Sequence, residues 1–302
     1  MLFKLNPNAI ELGSLRITWY AIFIIGGAIL CYLLANKMGE KKGLPKGIIE
    51  NVFYISFPLG IVGARIWFVL SNLSMYQGAN WYHIFYVWEG GLAIQGGVVV
   101  GVLCAIWYLR KKHPDISPLE IFDLCVPNIL LGQAIGRWGN FFNQEVYGAC
   151  VVRESLSFLP NFILNQMAGG GDIACKLTEV AQPLFLYESL LDLAGWLIIS
   201  FLLRYKWTKN RPYGILTMLY FVYYGAIRAC LEPLRNEAFI MRINGVSTSL
   251  VTSIVYIILG VAGIIAIYLY HRKHPFKARV TTEPEIKEEK PKKAVKIATK
   301  KK

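Results

Sequence analysis

Long apolar stretches separated by short polar, mostly basic connections dominate the chain. Three of them, 17–36, 90–109 and 247–270, each run for 20 or more residues without Asp, Glu, Lys or Arg. That length suffices for a bilayer-spanning helix. Four more are apolar but interrupted: 48–71 by Glu50 and Arg65, 119–135 by Glu120 and Asp123, 184–203 by Glu188 and Asp192, and 212–231 by Arg228. Buried helices of a soluble protein produce one or two such runs, whereas seven call for a bilayer. The pattern predicts an all-α integral membrane protein with seven transmembrane helices.

Composition agrees. Hydrophobic residues make up 55% of the 302 and charged residues only 17%, against about a quarter in soluble domains. Mean hydropathy is +0.43. The net charge of +13 first suggests nucleic acid, but its distribution answers otherwise. Basic residues gather in the connections 37–47 (four), 110–118 (three) and 204–211 (four) and in the tail from His271 (twelve), whereas 71–89 has none. If the segments alternate across the membrane, all of these lie on one side. The positive-inside rule then places the N-terminus outside and the C-terminus in the cytoplasm, and leaves no nucleic-acid partner. Residues 1–16 lack the apolar core of a cleaved signal peptide, so the first run is expected to be a span.

Two regions fall outside the spans. Residues 149–182 include Gly169, Gly170 and Gly171 and short apolar pieces, and read as an extracytoplasmic arm between the fourth and fifth helices. The basic tail 273–302 has almost nothing to bury from Glu283 onward and is expected to be disordered, either resting on anionic inner-leaflet lipid or simply solvated. Cys31, Cys104, Cys125 and Cys230 sit in spans at spacings that match no metal or redox motif. Cys150 and Cys175 share the arm, where a disulfide would persist; a bridge and two free thiols both remain open.

Charge inside a membrane is expensive and marks function by default. Arg65, Arg137 and Arg228 each follow the inner end of an inside-to-outside span by 16 to 18 residues, which puts all three roughly 25 Å from the cytoplasmic side. Tyr20 and Gln95, on spans of opposite direction, reach a similar level. Guanidinium groups bind phosphate through two points and stay charged, so an anionic outer-leaflet headgroup is the natural ligand. On the sixth helix, Tyr224, Arg228, Glu232 and Arg235 share an arc of about 80°, and Pro233 ends the helix beyond them. The fourth helix leads into Gly136, Arg137, Trp138, Gly139, Asn140, Phe141, Phe142, Asn143, Gln144, Glu145, Val146, Tyr147 and Gly148. Its glycines permit unusual backbone, and its Arg and Asn groups suit a phosphate and glycerol hydroxyls. Non-helical backbone at this depth is tolerated where protein or a watery cavity surrounds it.

This stretch reads G-R-x-G-N-F-x-N-x-E-x-x-G and resembles the signature of the prolipoprotein diacylglyceryl transferase family. Further blocks agree in order: Trp19 and Tyr20; Gly63, Ala64 and Arg65; Trp88 to Gly91; Gln182 and Pro183 with Leu186, Tyr187 and Glu188; and Tyr224, Gly225, Arg228, Glu232 and Arg235. The resemblance covers about residues 10 to 272 and implies one catalytic membrane domain, 1–272, in the bacterial cytoplasmic (inner) membrane. It also implies a reaction. The diacylglyceryl group of phosphatidylglycerol passes to the lipobox cysteine thiol of a prolipoprotein signal peptide, leaving a thioether and glycerol 1-phosphate. Many members carry His-Gly-Gly where this chain has Gln95, Gly96 and Gly97, and His where it has Gln182. Glutamine cannot act as a base, so the identity of the base stays open.

The thiolate is the nucleophile and a positive field favours it, while guanidinium donors stabilise the leaving phosphate. Arg137 and Arg228 are therefore expected to do the catalytic work, with Arg65 or Arg235 in support. Asn140 and Asn143 would orient the headgroup. Glu145 and Glu232 would orient arginines or take the thiol proton. Tyr20, Gln95, Tyr224 and Gly148 complete the expected lipid site. No metal or cofactor is expected. The rival readings are a multi-span anion or lipid transporter, and a receptor or scaffold with a structural polar core. Against transport, the polar residues gather near one level, and the inner halves of most spans are apolar.

Overall fold

The computed structural model describes residues 5–12, 15–76, 78–87, 90–169, 173, 175–203, 211–243 and 245–276. The tail beyond residue 276, where most of its expected disorder falls, lies outside the described residues, as do Trp88 and Glu89. Among the described residues, seven helices are long and apolar enough to cross a membrane, so the chain folds as a multi-pass membrane protein. A hairpin of β1 (Asn8–Leu12) and β2 (Leu15–Thr18) leads into α1 (Trp19–Lys41). The Thr18 side chain accepts from the Ala21 amide at 3.3 Å and caps that helix. α2 (Ile48–Ser71) and α3 (Ile94–Lys112) follow, joined by two 3-10 turns. The fourth span, Pro118–Asn143, consists of α4 (Pro118–Cys125) and α5 (Ile129–Asn143). Between them Pro127, which lacks an amide donor, sits in a 3-10 turn.

The arm comes next, with β3 (Cys150–Val152), the short α6 (Asn161–Gln166) and β4 (Glu179–Ala181). α7 (Leu184–Trp196) continues as a π-helical stretch to Leu203. α8 (Ile215–Leu231) ends in the 3-10 turn Glu232–Leu234, where Pro233 stops the helix as expected. A hairpin of β5 (Arg242–Ile243) and β6 (Val246–Ser247) then starts α9 (Thr248–Lys273).

Three departures from the sequence reading have physical causes. The third span begins at Ile94 rather than residue 90, because Gly90 and Gly91 take φ of 87° and 67°, which an α-helix excludes. The fourth span runs past the apolar run that ends at residue 135: α5 carries the signature to Asn143, and only its last residues, from Gln144 to Gly148, leave the helix. The all-α reading also misses three two-stranded antiparallel pairs among the described residues, each at the end of a span or in the arm.

Small residues set the close contact between α2 and α3. A Cβ at Gly63 of α2 would lie 2.5 Å from Val100 Cγ2 and 2.7 Å from the Gly96 carbonyl oxygen of α3. Helices in lipid associate by close packing of this kind, since apolar tails give no hydrophobic drive between them. At the other end of the bundle, Asp123 of α4 accepts from the amides of Gly214 and Thr217 at 2.9 and 2.8 Å and from the Thr217 hydroxyl at 2.8 Å. It caps the start of α8 and pins two helices, so its charge has a structural task. Large apolar side chains on the outer faces of the bundle, among them Ile25, Leu33, Leu103 and Ile258, are exposed, as lipid-facing residues are.

The arm has its own core. Phe141 and Tyr147 from the end of the fourth span and Phe185 from α7 pack with Ile163, Met167, Ile173 and Ala181 of the arm. Cys150 and Cys175 are joined by a disulfide, with Cα atoms 5.6 Å apart. The arm is thus a folded cap on the end of α5 rather than a loose loop.

Candidate active site

Helix spacing and one shared acceptor build the site. Glu188 stands one turn into α7 and is almost fully buried. Its Oε1 lies 2.6 Å from Arg137 Nη2 of α5 and 3.1 Å from Arg228 Nη1 of α8. Two guanidinium groups from different helices therefore converge on a single carboxylate oxygen. Arg228 Nη2 reaches the Ser249 hydroxyl at 2.6 Å and Glu232 Oε2 at 3.4 Å. Glu232 lies 3.9 Å from Arg235 Nε, and its other oxygen accepts from the Ser247 hydroxyl at 2.5 Å. Tyr20 and Tyr224 lie close enough to feel the Arg137 charge, and the Tyr224 ring stacks on Tyr220 at 5.8 Å. Arg235 lies just beyond its span; burial, and then the Arg228 charge, pull its pKa below the usual guanidinium value.

The structure thus brings together Arg137, Arg228, Glu232, Arg235, Tyr20 and Tyr224. It places Arg65 elsewhere. That guanidinium donates to the carbonyls of Ile84 at 2.9 Å, Gly90 at 2.7 Å, Gly91 at 3.1 Å and His83 at 2.5 Å, and it lies over the rings of Phe68 and Tyr76. Four of its five donors are spent on the loop between α2 and α3. Arg65 therefore staples that loop and has little left to offer a phosphate. Equal depth in the bilayer does not bring three arginines to one point.

The signature motif is also tied mostly to itself. Glu145 Oε1 accepts from the side-chain amides of Asn140 at 3.0 Å and Asn143 at 3.4 Å, and the Glu145 amide donates to the Asn140 carbonyl at 3.1 Å. The expectation that Glu145 orients an arginine gives way to a different geometry: its partners are the two asparagines of its own motif. Gln144 and Val146 hold φ of 54° and 55°. For a β-branched valine this is an outlier, of a kind that costs roughly 1–3 kcal/mol and clusters at functional sites. Gln144 is anchored beside it: Gln144 donates to the Gln166 carbonyl at 2.5 Å, and Gln166 donates to that of Phe141 at 3.3 Å.

Gly148 is a packing position. Its amide donates to the Gln182 carbonyl at 2.9 Å, and it bridges Arg235. A Cβ there would lie 2.8 Å from both Gln182 Cβ and the Leu234 carbonyl oxygen. Three chain segments meet at that point, and one of them carries Arg235. Gln95 is exposed in the first turn of α3. Between α1, α2 and α5 lies an apolar cavity of about 420 Å³, lined by Ile24, Cys31, Phe53, Phe57 and Gln133 among others. Gln133 accepts from the Tyr220 hydroxyl at 3.4 Å, which links this cavity to the tyrosines of the arginine cluster.

Sequence reasoning overlooked the part of Glu188, along with Asp192, Ser247 and Ser249. A usable signal existed for two of them, since Glu188 and Asp192 are the only charges in their apolar run and fall on one helix face at i, i+4. The two serines sit near a helix start among ordinary capping residues and stood out by nothing.

A family model described as prolipoprotein diacylglyceryl transferase matches residues 7–266. A phosphatidylglycerol–prolipoprotein diacylglyceryl transferase of Streptococcus suis is 40% identical over 270 residues, 89% of this chain and 94% of the relative. One from Streptococcus pneumoniae is 38% identical over 273 residues, 90% of this chain and 97% of the relative. With a buried arginine cluster assembled around the residues that carry the resemblance, and agreement over nearly all of its length, the chain belongs to the prolipoprotein diacylglyceryl transferase family.

Proposed function

We propose that this protein transfers the diacylglyceryl group of phosphatidylglycerol to the lipobox cysteine thiol of prolipoproteins, releasing glycerol 1-phosphate. The observation that carries the reading is the convergence of Arg137 and Arg228 on one oxygen of Glu188. Two guanidinium groups that satisfy one carboxylate oxygen can also hold one phosphate, with Glu188 yielding or sharing its place. The same contacts stabilise the charge that develops on the leaving phosphate, and their field favours the attacking thiolate. Glu232 and Arg235 frame the clamp, Tyr20 and Tyr224 border it, and Asn140, Asn143 and Glu145 hold the backbone that carries Arg137. The apolar cavity beside Gln133 suits an acyl chain.

The charge pattern supports an N-terminus outside, a C-terminus in the cytoplasm, and an arm and active site toward the outer leaflet of the bacterial cytoplasmic membrane. An outer-face site also matches a substrate peptide that has crossed the membrane. A transfer assay tests the reading: purified protein, phosphatidylglycerol labelled in its acyl chains, and a lipobox peptide. Acyl label on the peptide that mild alkali releases, while the glyceryl group stays attached through its thioether, supports the proposal. Movement of lipid or anion across vesicles without peptide labelling would favour transport instead.

A further inference from the structure

Asp192 of α7 is fully buried, and neither of its carboxylate oxygens accepts a hydrogen bond among the described residues. It lies one helical turn beyond Glu188, on the same face of the same helix. Several charged and titratable groups lie within electrostatic reach of it. From α5 comes Arg137, from its own helix Glu188, and from α8 Arg228 with the phenols of Tyr220, Tyr223 and Tyr224. The cluster is balanced in formal charge: Arg137, Arg228 and Arg235 stand against Glu188, Glu232 and Asp192. Glu188 and Glu232 hold the arginines through direct ion pairs. Asp192 is the one acid of the three that depends on Arg137 and Arg228 only through space.

A phosphodiester brings one more negative charge and competes for those two arginines. Charge left uncompensated in a membrane interior is strongly disfavoured. We propose that Asp192 is a positioning residue that takes up one proton when the anionic lipid enters the arginine cluster. The balance is simple. One carboxylate and one proton from solvent become one carboxyl group, and the cluster with its phosphodiester returns to zero net charge. No bond of the lipid changes in this step. A Glu188 that shares the two arginines with the phosphate keeps an ion pair, and Glu232 is held by the Ser247 hydroxyl and two arginines, whereas neither oxygen of Asp192 has a donor among the described residues. The proposal rests on the reading of the site as a phosphatidylglycerol clamp.

Calorimetry tests it. The whole protein in phosphatidylcholine nanodiscs is titrated with phosphatidylglycerol, without peptide, from pH 7 to 9 in two buffers of different ionisation enthalpy. The phosphodiester itself does not titrate in this range. The difference in heat between buffers gives the protons taken up, expected to rise toward one per lipid in the alkaline buffers. Asp192→Asn should abolish the uptake. The variant should bind with an affinity that stays constant across the range, where the wild type weakens by up to about tenfold per pH unit at the alkaline end. A merely structural Asp192 would leave the pH slope of binding unchanged in that variant. Binding heat with no proton uptake in the wild type at any pH overturns the proposal and leaves the lipid clamp standing, even if Asp192→Asn does not fold. Uptake that persists in folded Asp192→Asn also overturns it. Absence of any binding heat defeats the clamp itself, and the proposal with it.

Discussion

Arg137 and Arg228 differ from the other intramembrane charges in what their donors touch. Both reach Glu188, an acceptor that a phosphate can replace, whereas Arg65 donates to four backbone carbonyls, which nothing replaces. Lysine keeps the charge but loses the planar fork. Arg137→Lys should therefore bind lipid more weakly and transfer far more slowly, and Arg137→Ala should lose about 3 kcal/mol of transition-state stabilisation, about a hundredfold in rate. Arg65→Ala should instead lower the folding yield or thermal stability, because it frees the loop before α3; normal stability with loss of transfer would return Arg65 to the clamp. Gln95→Ala should leave measurable transfer, since glutamine moves no proton and the side chain is exposed. A loss as complete as that of an arginine variant, in folded protein, would contradict this. These residues were unequally legible in the sequence. Depth along a span and the blocks that carry the resemblance singled out Arg137 and Arg228, which the structure brings onto one carboxylate. Depth misled for Arg65, because it fixes a level in the membrane but not a direction around the helix axis. The roles of Glu145 and Gly148 turn on contacts between segments that no local spacing encodes.

At the scale of elements, hydrophobic runs and basic connections were enough to find the seven spans present among the described residues, because length and apolarity are what a bilayer selects. The ends were less legible. The fourth span runs on to Asn143 since its glycines sit at helix contacts, and the third starts late since Gly90 and Gly91 turn with positive φ to meet Arg65. The seam between α2 and α3 depends on Gly63 having no side chain. Gly63→Val would place atoms 2.5 Å from Val100 Cγ2, and overpacking of this kind costs roughly 1–3 kcal/mol. Its melting temperature in detergent should fall; an unchanged value would mean that the seam is not tightly packed. The arm makes a separate prediction. The disulfide closes a loop across a separation of 25 residues, worth roughly 3–4 kcal/mol in the chain-entropy account. Mass spectrometry of unreduced protein should find the peptides of Cys150 and Cys175 linked. Two free thiols in protein taken from its native membrane would refute the bridge without touching the proposed reaction.

For the whole molecule, sidedness is where charge and geometry must agree. If the basic connections face the cytoplasm, the ends of α5 and α8, the arm and the arginine cluster all face outward. Single cysteines placed in the connections 37–47 and 71–89 should then be labelled from the inside and the outside, respectively, by a membrane-impermeant reagent. The reverse pattern would put the site on the wrong side for an exported substrate. The central claim is the phosphate clamp, and a double-mutant cycle on transfer measures it most directly. With labelled phosphatidylglycerol and a lipobox peptide, kcat/KM is determined for the wild type, Arg137→Ala, Arg228→Ala and the double variant, each shown to be folded. If both guanidinium groups hold one phosphate, each single variant loses about a hundredfold, and the double variant loses clearly less than the product of the two. Near-normal transfer in both single variants would contradict the account.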